Sequence, residues 1–286
     1  MPSQREIRRR IGAARNIKQI TRAMQFVAAS KLRRAQESTL ASRPYREKLD
    51  EVIADLAVVL SGDDHPLLAE RSLEGAHNRL IVIITSDRGL AGALNTNTIR
   101  FIAREITEHP GDLKVATVGR KGRDAMRRAR VPIAAHFEGF GDRPAFSDVL
   151  PLARLVTDDF VAGTYDRVDI AYSRFVSTLV QRPVVEQLLP VKSTEDTAGI
   201  PGNQFLFEPD PATFLRALLP RYVATRLFQA VLESKASEES SRMVAMKNAT
   251  ENAQELIEDL TLSYNKVRQA NITREMVEIA SGAQAR

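Results

Sequence analysis

The sequence predicts a mixed α/β chain in which two long terminal helices pair as a coiled coil and a smaller α/β domain is inserted between them. Three observations carry that expectation. At the C-terminal end Met243, Met246, Ala253, Ile257, Leu260, Tyr264 and Val267 recur by alternating threes and fours, with Thr250 and Asn271 filling the same seam. This is the heptad stripe of a helix that requires a partner helix. At the N-terminal end Ile7, Ile11, Ala14, Ile17, Ile20, Met24 and Val27 repeat at similar spacing. Between the two ends the pattern changes to short apolar runs punctuated by glycine turns, the texture of alternating strands and helices. Either seam in isolation fits a core helix of an all-α bundle equally well; the presence of both favours the coil.

Taken in order, the first helix opens with Ser3 and Glu6 in capping-box positions, where a hydroxyl and a carboxylate serve free backbone N–H groups. Its pattern persists to about Leu60, with a kink expected at Ser42 and Pro44, a span of roughly 85 Å. A polar segment follows at 61–78. Leu80 to Thr85 then reads as a strand buried on both faces, followed by a glycine turn and a helix from about Ala91 to Glu108. "LKVATVGRKG" gives a second strand and turn, a basic helix runs through Arg128, "VPIAAHF" reads as a short strand, 145–162 as a helix and "RVDIAYSRF" as another strand. That alternation implies a parallel, Rossmann-like α/β domain. "PVVEQLLPV" at 183–191 reads as an edge strand, and "KSTEDTAGIPGNQFLFEPDP" as a loop with one short extended piece. The second long helix runs from Asp210 to about Ala280, bent near Pro220, a span of roughly 105 Å. The three parts are thus 1–60, 61–209 and 210–286.

Of the 286 residues 43% are hydrophobic, ample for a packed core and incompatible with a disordered chain. There is no cysteine, so neither a disulfide framework nor a thiol switch is available. The arginine-rich start lacks the apolar stretch of a secretory signal, and the longest apolar run, Leu80 to Ile84, is far short of the roughly 18 residues of a membrane span. Cytosolic exposure is expected, with any membrane association running through another protein or the membrane surface. The net charge of +5 is unevenly placed. Arg5, Arg8, Arg9, Arg10, Arg15, Lys18, Arg22, Lys31, Arg33 and Arg34 face only Glu6, whereas Glu233, Glu238, Glu239, Glu251, Glu255, Glu258 and Asp259 outnumber Lys235, Arg242 and Lys247. Opposite charge favours pairing of the two helices, although each exposed ion pair contributes only about 0.2–1 kcal/mol. A basic helix also suits nucleic acid, but Phe26 is the only aromatic before Tyr45, so the stacking platform of a single-strand binder is missing.

The turns of the inserted domain carry no phosphate or catalytic signature. "SDRGLAGAL" offers Gly89 and Gly92 without G-x-G-x-x-G, "GRKGRD" offers Gly119 and Gly122 without a Walker lysine followed by Ser or Thr, and no G-x-S-x-G exists. Such glycines read as tight-turn residues rather than ligand residues. His65, His77, His109 and His136 lack metal-ligand spacing and read as loop or surface histidines. No catalytic, cofactor-binding or metal-binding residue is assigned.

The blocks "EIRRRIGAARNIKQITRAMQFVAASKLRRAQ", "TSDRGLAGALN", "FEPDP" and "RMVAMKNATENAQELIEDLTLSYNKVRQANITREMVEIASGA" resemble the gamma subunit of the rotary, F-type ATP synthase. The resemblance covers both termini and the strand-turn entry to the middle domain. It implies a central-stalk rotor: an antiparallel coiled coil inside a ring of alternating nucleotide-binding alpha and beta subunits, with the α/β domain at its side and a base seated on the membrane rotor ring. It also implies a peripheral location on the cytoplasmic face of the cell membrane, and no plastid-type regulatory cysteine insertion is present.

Carried over position by position, the resemblance implies that Lys18, Met24, Lys31, Arg33, Arg34, Arg242, Arg268, Gln269 and Thr273 contact the alpha/beta ring. It places Gln204, Phe207 and Glu208 next to the rotor ring and the epsilon subunit, while Phe205 fits an inward position equally well. In an antiparallel pair Ile7 would lie near Leu260 and Met24 near Met243. The C-terminal helix, longer by about 20 residues, would project as a lone helix of roughly 30 Å, with a small, nearly uncharged tip at 279–283. Two other readings stay open. One is a nucleotide-dependent enzyme with a Rossmann-like domain, which would bind dinucleotide or ATP; the other is a basic coiled-coil nucleic-acid-binding protein, whose affinity would fall steeply with salt.

Overall fold

The computed structural model describes residues 3–59, 65–69, 77–109, 111–191 and 211–284. In chain order the elements are α1 (Gln4–Val59), β1 (Arg79–Ile84), α2 (Leu94–Glu108), β2 (Leu113–Val118), α3 (Arg120–Arg128), β3 (Ile133–Phe137), α4 (Phe146–Val161), β4 (Arg167–Phe175), β5 (Gln181–Leu189) and α5 (Pro211–Gln284). The chain divides into two compact units. The arm unit comprises Met1–Ala29 with Arg242–Arg286, and the sheet unit comprises Ser30–Ser241.

The sheet unit is built around β1, which has every residue buried because its apolar run leaves neither face fit for water. The strand order is β3-β2-β1-β4-β5; the first four strands are parallel and β5 closes the edge antiparallel to β4. Period-two alternation sends Leu80, Val82 and Ile84 to one face, where they pack with Val149, Leu152, Val156 and Phe160 of α4 and with Leu215, Leu219, Val223 and Leu227 of α5. Ile81 and Ile83 point the other way, onto Ile102 of α2 and Ala125 and Met126 of α3. Each large apolar side chain so buried contributes roughly 1.5–3 kcal/mol. That packing explains why α1 and α5 continue as helices through Pro44 and Pro220, each of which costs about 3 kcal/mol in a helix interior.

One charge cluster is sealed into this unit. Asp169 has no exposed surface and takes hydrogen bonds from Arg79 Nε at 2.5 Å and Arg167 Nε at 3.0 Å. A second tie joins three elements, since Arg226 of α5 reaches Glu186 of β5 at 3.0 Å and Asp50 of α1 at 3.7 Å. Burial beside these charges pushes the Tyr222 hydroxyl up to about 12.

In the arm unit the two helices run antiparallel. Ile7, Ile11, Ala14 and Ile257 form a buried cluster flanked by Leu260, Tyr264 and Val267. Ser3 Oγ accepts the Glu6 backbone N–H at 3.2 Å, the hydroxyl half of the capping box. The expected N-terminal seam needs a correction. Ile17, Ile20 and Val27 are 52%, 60% and 54% exposed, and the helix instead turns Lys18, Thr21, Gln25 and Ala28 inward, half-buried or buried. These continue the strict four-three spacing that begins at Ile7, Ile11 and Ala14.

Candidate partner-binding surface

Polar contacts cross the arm unit among the described residues. Thr250 Oγ1 lies 2.7 Å from Thr21 Oγ1, and Lys18 Nζ donates to Gln254 Oε1 at 2.6 Å, while Gln254 Nε2 donates to Glu258 Oε1 at 2.6 Å. With Thr21 opposite Thr250, antiparallel counting sets Ile7 opposite Tyr264 and Ile11 opposite Leu260. The register expected from the seams, Ile7 near Leu260 and Met24 near Met243, is therefore displaced by one layer. Apolar seams at heptad spacing match in either alignment, so the apolar pattern alone does not choose between them. Two ion pairs of this unit, Arg10–Glu6 and Lys247–Glu251, lie within single helices rather than across the pair.

Each helix carries an apolar row on its outward side, where solvent-facing positions are ordinarily polar. Ile17, Ile20, the half-buried Met24 and Val27 follow three-four-three spacing and so share one face of α1, with Phe26 62% exposed beside them. Near the end of α5, Ile272, Met276 and Ile279 form a second exposed stripe. Scattered exposed apolar residues are normal, whereas contiguous stripes mark contact surfaces. Sequence reading assigned Ile17, Ile20 and Val27 to the seam and so missed them as surface. The signal that separates the two sets is the one-residue offset between the outward row and the row through Lys18, Thr21 and Gln25.

Other positions expected to meet a partner are divided between the units. In the arm unit Arg268, Gln269 and Thr273 are exposed, whereas Arg242 is only 9% exposed and Lys18 is engaged with Gln254. In the sheet unit Lys31 holds Asp142 at 2.8 Å. This hydrogen bond, reinforced by the nearby charges of Lys31, Lys235 and Arg88, keeps the Asp142 carboxyl below the usual carboxylate range against the opposing effect of its partial burial. Arg33 pairs with Glu37 at 3.1 Å and Arg34 Nε donates to Ser30 O at 3.3 Å, both facing solvent. Gln204, Phe205, Phe207 and Glu208 lie outside the described residues.

The first turn of α3, a helix N-terminus at the carboxyl edge of the parallel strands, is filled by the chain itself. Arg120 N–H donates to Asp87 Oδ1 at 3.0 Å, Lys121 N–H to Ser86 O at 3.1 Å and Gly122 N–H to Thr85 Oγ1 at 2.8 Å. These are the free amides of the first turn of α3, the group that binds anions in nucleotide sites. Gly119 is required by the turn, since its φ is +90° and a Cβ there would stand 2.2 Å from Thr85 O. The cavity at the carboxyl ends of β1 and β2, lined by Ile84, Asp87, Val118 and Phe140 among others, holds about 20 Å³, far below the roughly 300 Å³ of a small-molecule site.

The histidines need a partial correction. His77 and His109 meet edge to face at 4.6 Å, and His65 is buried with its Nδ1 accepting Leu67 N–H at 3.1 Å. Burial lowers the pKa of both His65 and His109. Among the described residues no group of three or more His, Cys, Asp or Glu side chains is placed to hold a metal ion.

Residues 3–285 match the family model described as ATP synthase. The ATP synthase gamma chain of Dehalococcoides mccartyi (strain CBDB1) is 48% identical over 287 residues, covering 100% of this chain and 99% of the relative. That of Roseiflexus castenholzii is 48% identical over 290 residues with the same coverage. Among solved structures, a chain from the central stalk/c-ring of the Tetrahymena thermophila mitochondrial ATP synthase aligns with a TM-score of 0.60 at 25% identity, covering 80% of this chain and 99% of that one. A chain of the Euglena gracilis mitochondrial ATP synthase (OSCP/F1/c-ring, rotational state 3) shares the fold with a TM-score of 0.69 at 23% identity, covering 99% of this chain and 94% of that one.

Proposed function

This chain belongs to the ATP synthase gamma-chain family, and from that premise we propose that it works as the non-catalytic shaft of the complex. It is a central-stalk rotor subunit that couples ion-driven rotation to ATP synthesis or hydrolysis in the surrounding alpha and beta subunits, with the epsilon subunit and the membrane rotor ring as its other partners. The observation that carries this reading is the 48% identity with gamma chains over the whole length of both arms and the insert together. No helix among the described residues is long and apolar enough to cross a membrane, which fits a peripheral subunit; we place it at the cytoplasmic face of the cell membrane.

A shaft without reacting groups acts through differential contact alone. It favours one conformation of a neighbouring subunit only by binding that conformation better. Driving such a two-state equilibrium from one side to the other takes about 5.5 kcal/mol. A stripe of three or four large apolar side chains, at roughly 1.5–3 kcal/mol each when buried, supplies that amount. The row Ile17, Ile20, Met24 and Val27 on α1 and the row Ile272, Met276 and Ile279 on α5 are apolar, whereas other outward positions carry charge. Three otherwise equal subunits around such a shaft would meet different surfaces at any moment.

Within this reading Arg268, Gln269 and Thr273, with Met24, Arg33 and Arg34, make the polar and sulfur contacts to ring loops, because an arginine beside an amide offers directional bonds to carboxylates. Lys18, Lys31 and Arg242 support those contacts from partly or fully enclosed positions. Gln204, Phe207 and Glu208 grip the rotor ring and the epsilon subunit. The test is recovery of the native chain from its own cells: a complex containing separate alpha, beta and epsilon chains is expected, and a chain recovered alone with bound nucleotide or nucleic acid overturns the reading. Arg268→Leu and Gln269→Leu should assemble normally and lower coupled ATP turnover; unchanged coupled activity removes those residues from the contact set.

A further inference from the structure

We propose that Lys18–Gln254 and Thr21–Thr250 set the axial register of the two arms, and so fix how far the apolar stripe near the end of α5 stands from the apolar stripe of α1. The inference rests on the geometry of the arm unit alone, so it holds or fails independently of what surrounds the arms.

The apolar layers are ambiguous. In the observed alignment Ile7 faces Tyr264, Ile11 faces Leu260, Ala14 faces Ile257, Gln25 faces Met246 and Ala28 faces Met243, counted from the Thr21–Thr250 contact. Sliding α5 by one layer pairs Ile7 with Leu260, Ile11 with Ile257 and Ala14 with Ala253. Sliding it the other way pairs Ile7 with Val267, Ile11 with Tyr264 and Ala14 with Leu260. Every apolar seam residue stays on the seam in all three alignments, because each helix repeats the same four-three spacing.

The polar layers remove the ambiguity. In the first slide Thr21 faces Met246 and Lys18 loses Gln254; in the second Thr21 faces Ala253 and Lys18 faces Ile257. Either alignment parts Lys18 from the Gln254 carbonyl and Thr21 from Thr250; the two hydroxyls keep carbonyls of their own helices, Ile17 O at 3.0 Å and Met246 O at 2.8 Å, so the penalty falls chiefly on the half-buried ammonium. Gln254 is itself held by Glu258 at 2.6 Å, which aims its carbonyl oxygen at Lys18. A polar residue in a coiled-coil seam specifies register at a cost in stability.

One layer corresponds to an axial shift of roughly 5 Å. That shift would change the axial distance between the Ile272, Met276 and Ile279 row and the Ile17, Ile20 and Val27 row by most of a helical turn. A partner that touches both stripes needs that spacing constant, and Lys18, Thr21, Thr250 and Gln254 are positioning residues that keep it so.

The natural absence of cysteine makes the test direct in the full chain. Ile11→Cys with Leu260→Cys reports the observed register, and Ile7→Cys with Leu260→Cys reports the first slide, since a disulfide closes only when the Cα atoms approach within about 7 Å. The first pair should oxidise at least tenfold faster than the second. Adding Lys18→Met, Thr21→Val, Thr250→Val and Gln254→Leu should raise the rate of the second pair at least tenfold while the melting temperature of the arms holds or rises. A lowered melting temperature with an unchanged disulfide ratio is what simple structural support produces, and it overturns the proposal. If the fourfold variant does not fold, Thr21→Val with Thr250→Val decides alone: a ratio that fails to move toward the slid pair overturns it, and Thr21→Ser with Thr250→Ser should keep the native ratio.

Discussion

In the sheet unit, β1 buries every side chain, both faces of the sheet are covered, and even a carboxylate, Asp169, is withdrawn from water and neutralised by two arginines. Among the described residues of the arm unit Ile7, Ile11, Ala14 and Ile257 form the buried apolar cluster, while Ile20, Val27, Met276 and Ile279 stand more than half exposed. The contrast separates two uses of the same apolar residues. One unit commits most of them to its own core, leaving exposed ones such as Leu90 and Leu179 scattered; the other keeps a thin seam for itself and turns the remainder outward in rows. Stability and contact surface are therefore distributed to different stretches of the chain, and substitutions in the two units should report on different properties.

The largest effect is expected from deleting core volume in the sheet unit. Phe160→Ala removes a side chain with no exposure and should lower stability by about 3–5 kcal/mol. Denaturant unfolding should show it, with Ile257→Ala in the 9% exposed seam of the arms costing markedly less. Equal losses at the two sites would erase the contrast.

Next in size is Asp169→Asn, which leaves the Arg79 guanidinium, 9% exposed, without its principal counter-charge and should cost on the order of 3 kcal/mol. Thermal melts of the variant beside Asp169→Asn/Arg79→Met test this; partial recovery in the double variant is expected.

Ile20→Ser sharpens the comparison from the other side. Because Ile20 is 60% exposed, the isolated chain should melt within about 0.5 kcal/mol of the parent, yet association with the ring and coupled ATP turnover should fall several-fold. A destabilised chain with normal assembly would return Ile20 to the seam.

The smallest effect concerns acid. Lys31 depresses the Asp142 pKa, so this pair contributes stability above the unfolded carboxyl value near 4 and loses it as pH falls through the lower folded value. With the Asp142 side chain 54% exposed, the contribution is under about 1 kcal/mol. Asp142→Asn should flatten the acid limb of the stability curve slightly and leave stability at low pH unchanged.

What was legible in the sequence follows from how local each signal is. Strand β1 announces itself because Leu80 to Ile84 are all apolar, and the strand-helix alternation reads directly as a parallel sheet. Strand β5 was expected at 183–191 and lies at Gln181–Leu189, a small boundary shift that hydrogen bonding to β4 decides. The N-terminal seam was misread for a physical reason: Ile17, Ile20, Met24 and Val27 have heptad-like spacing of their own, and an apolar row looks the same whether it faces a sister helix or a separate subunit. The true seam passes through Lys18, Thr21 and Gln25, which only the partner residues Gln254 and Thr250 make sensible. Register was illegible for the related reason that repeating layers match in several alignments.

The Asp87 carboxylate at the first turn of α3 bears on feedback. A shaft that works among nucleotide-binding subunits is bathed in the very metabolite whose turnover it drives. A phosphate approaching the amides of Arg120, Lys121 and Gly122 meets groups already engaged and a negative charge that repels it. The backbone donors of this turn are already taken up within the fold, so a phosphate released by the surrounding turnover finds no free amide there.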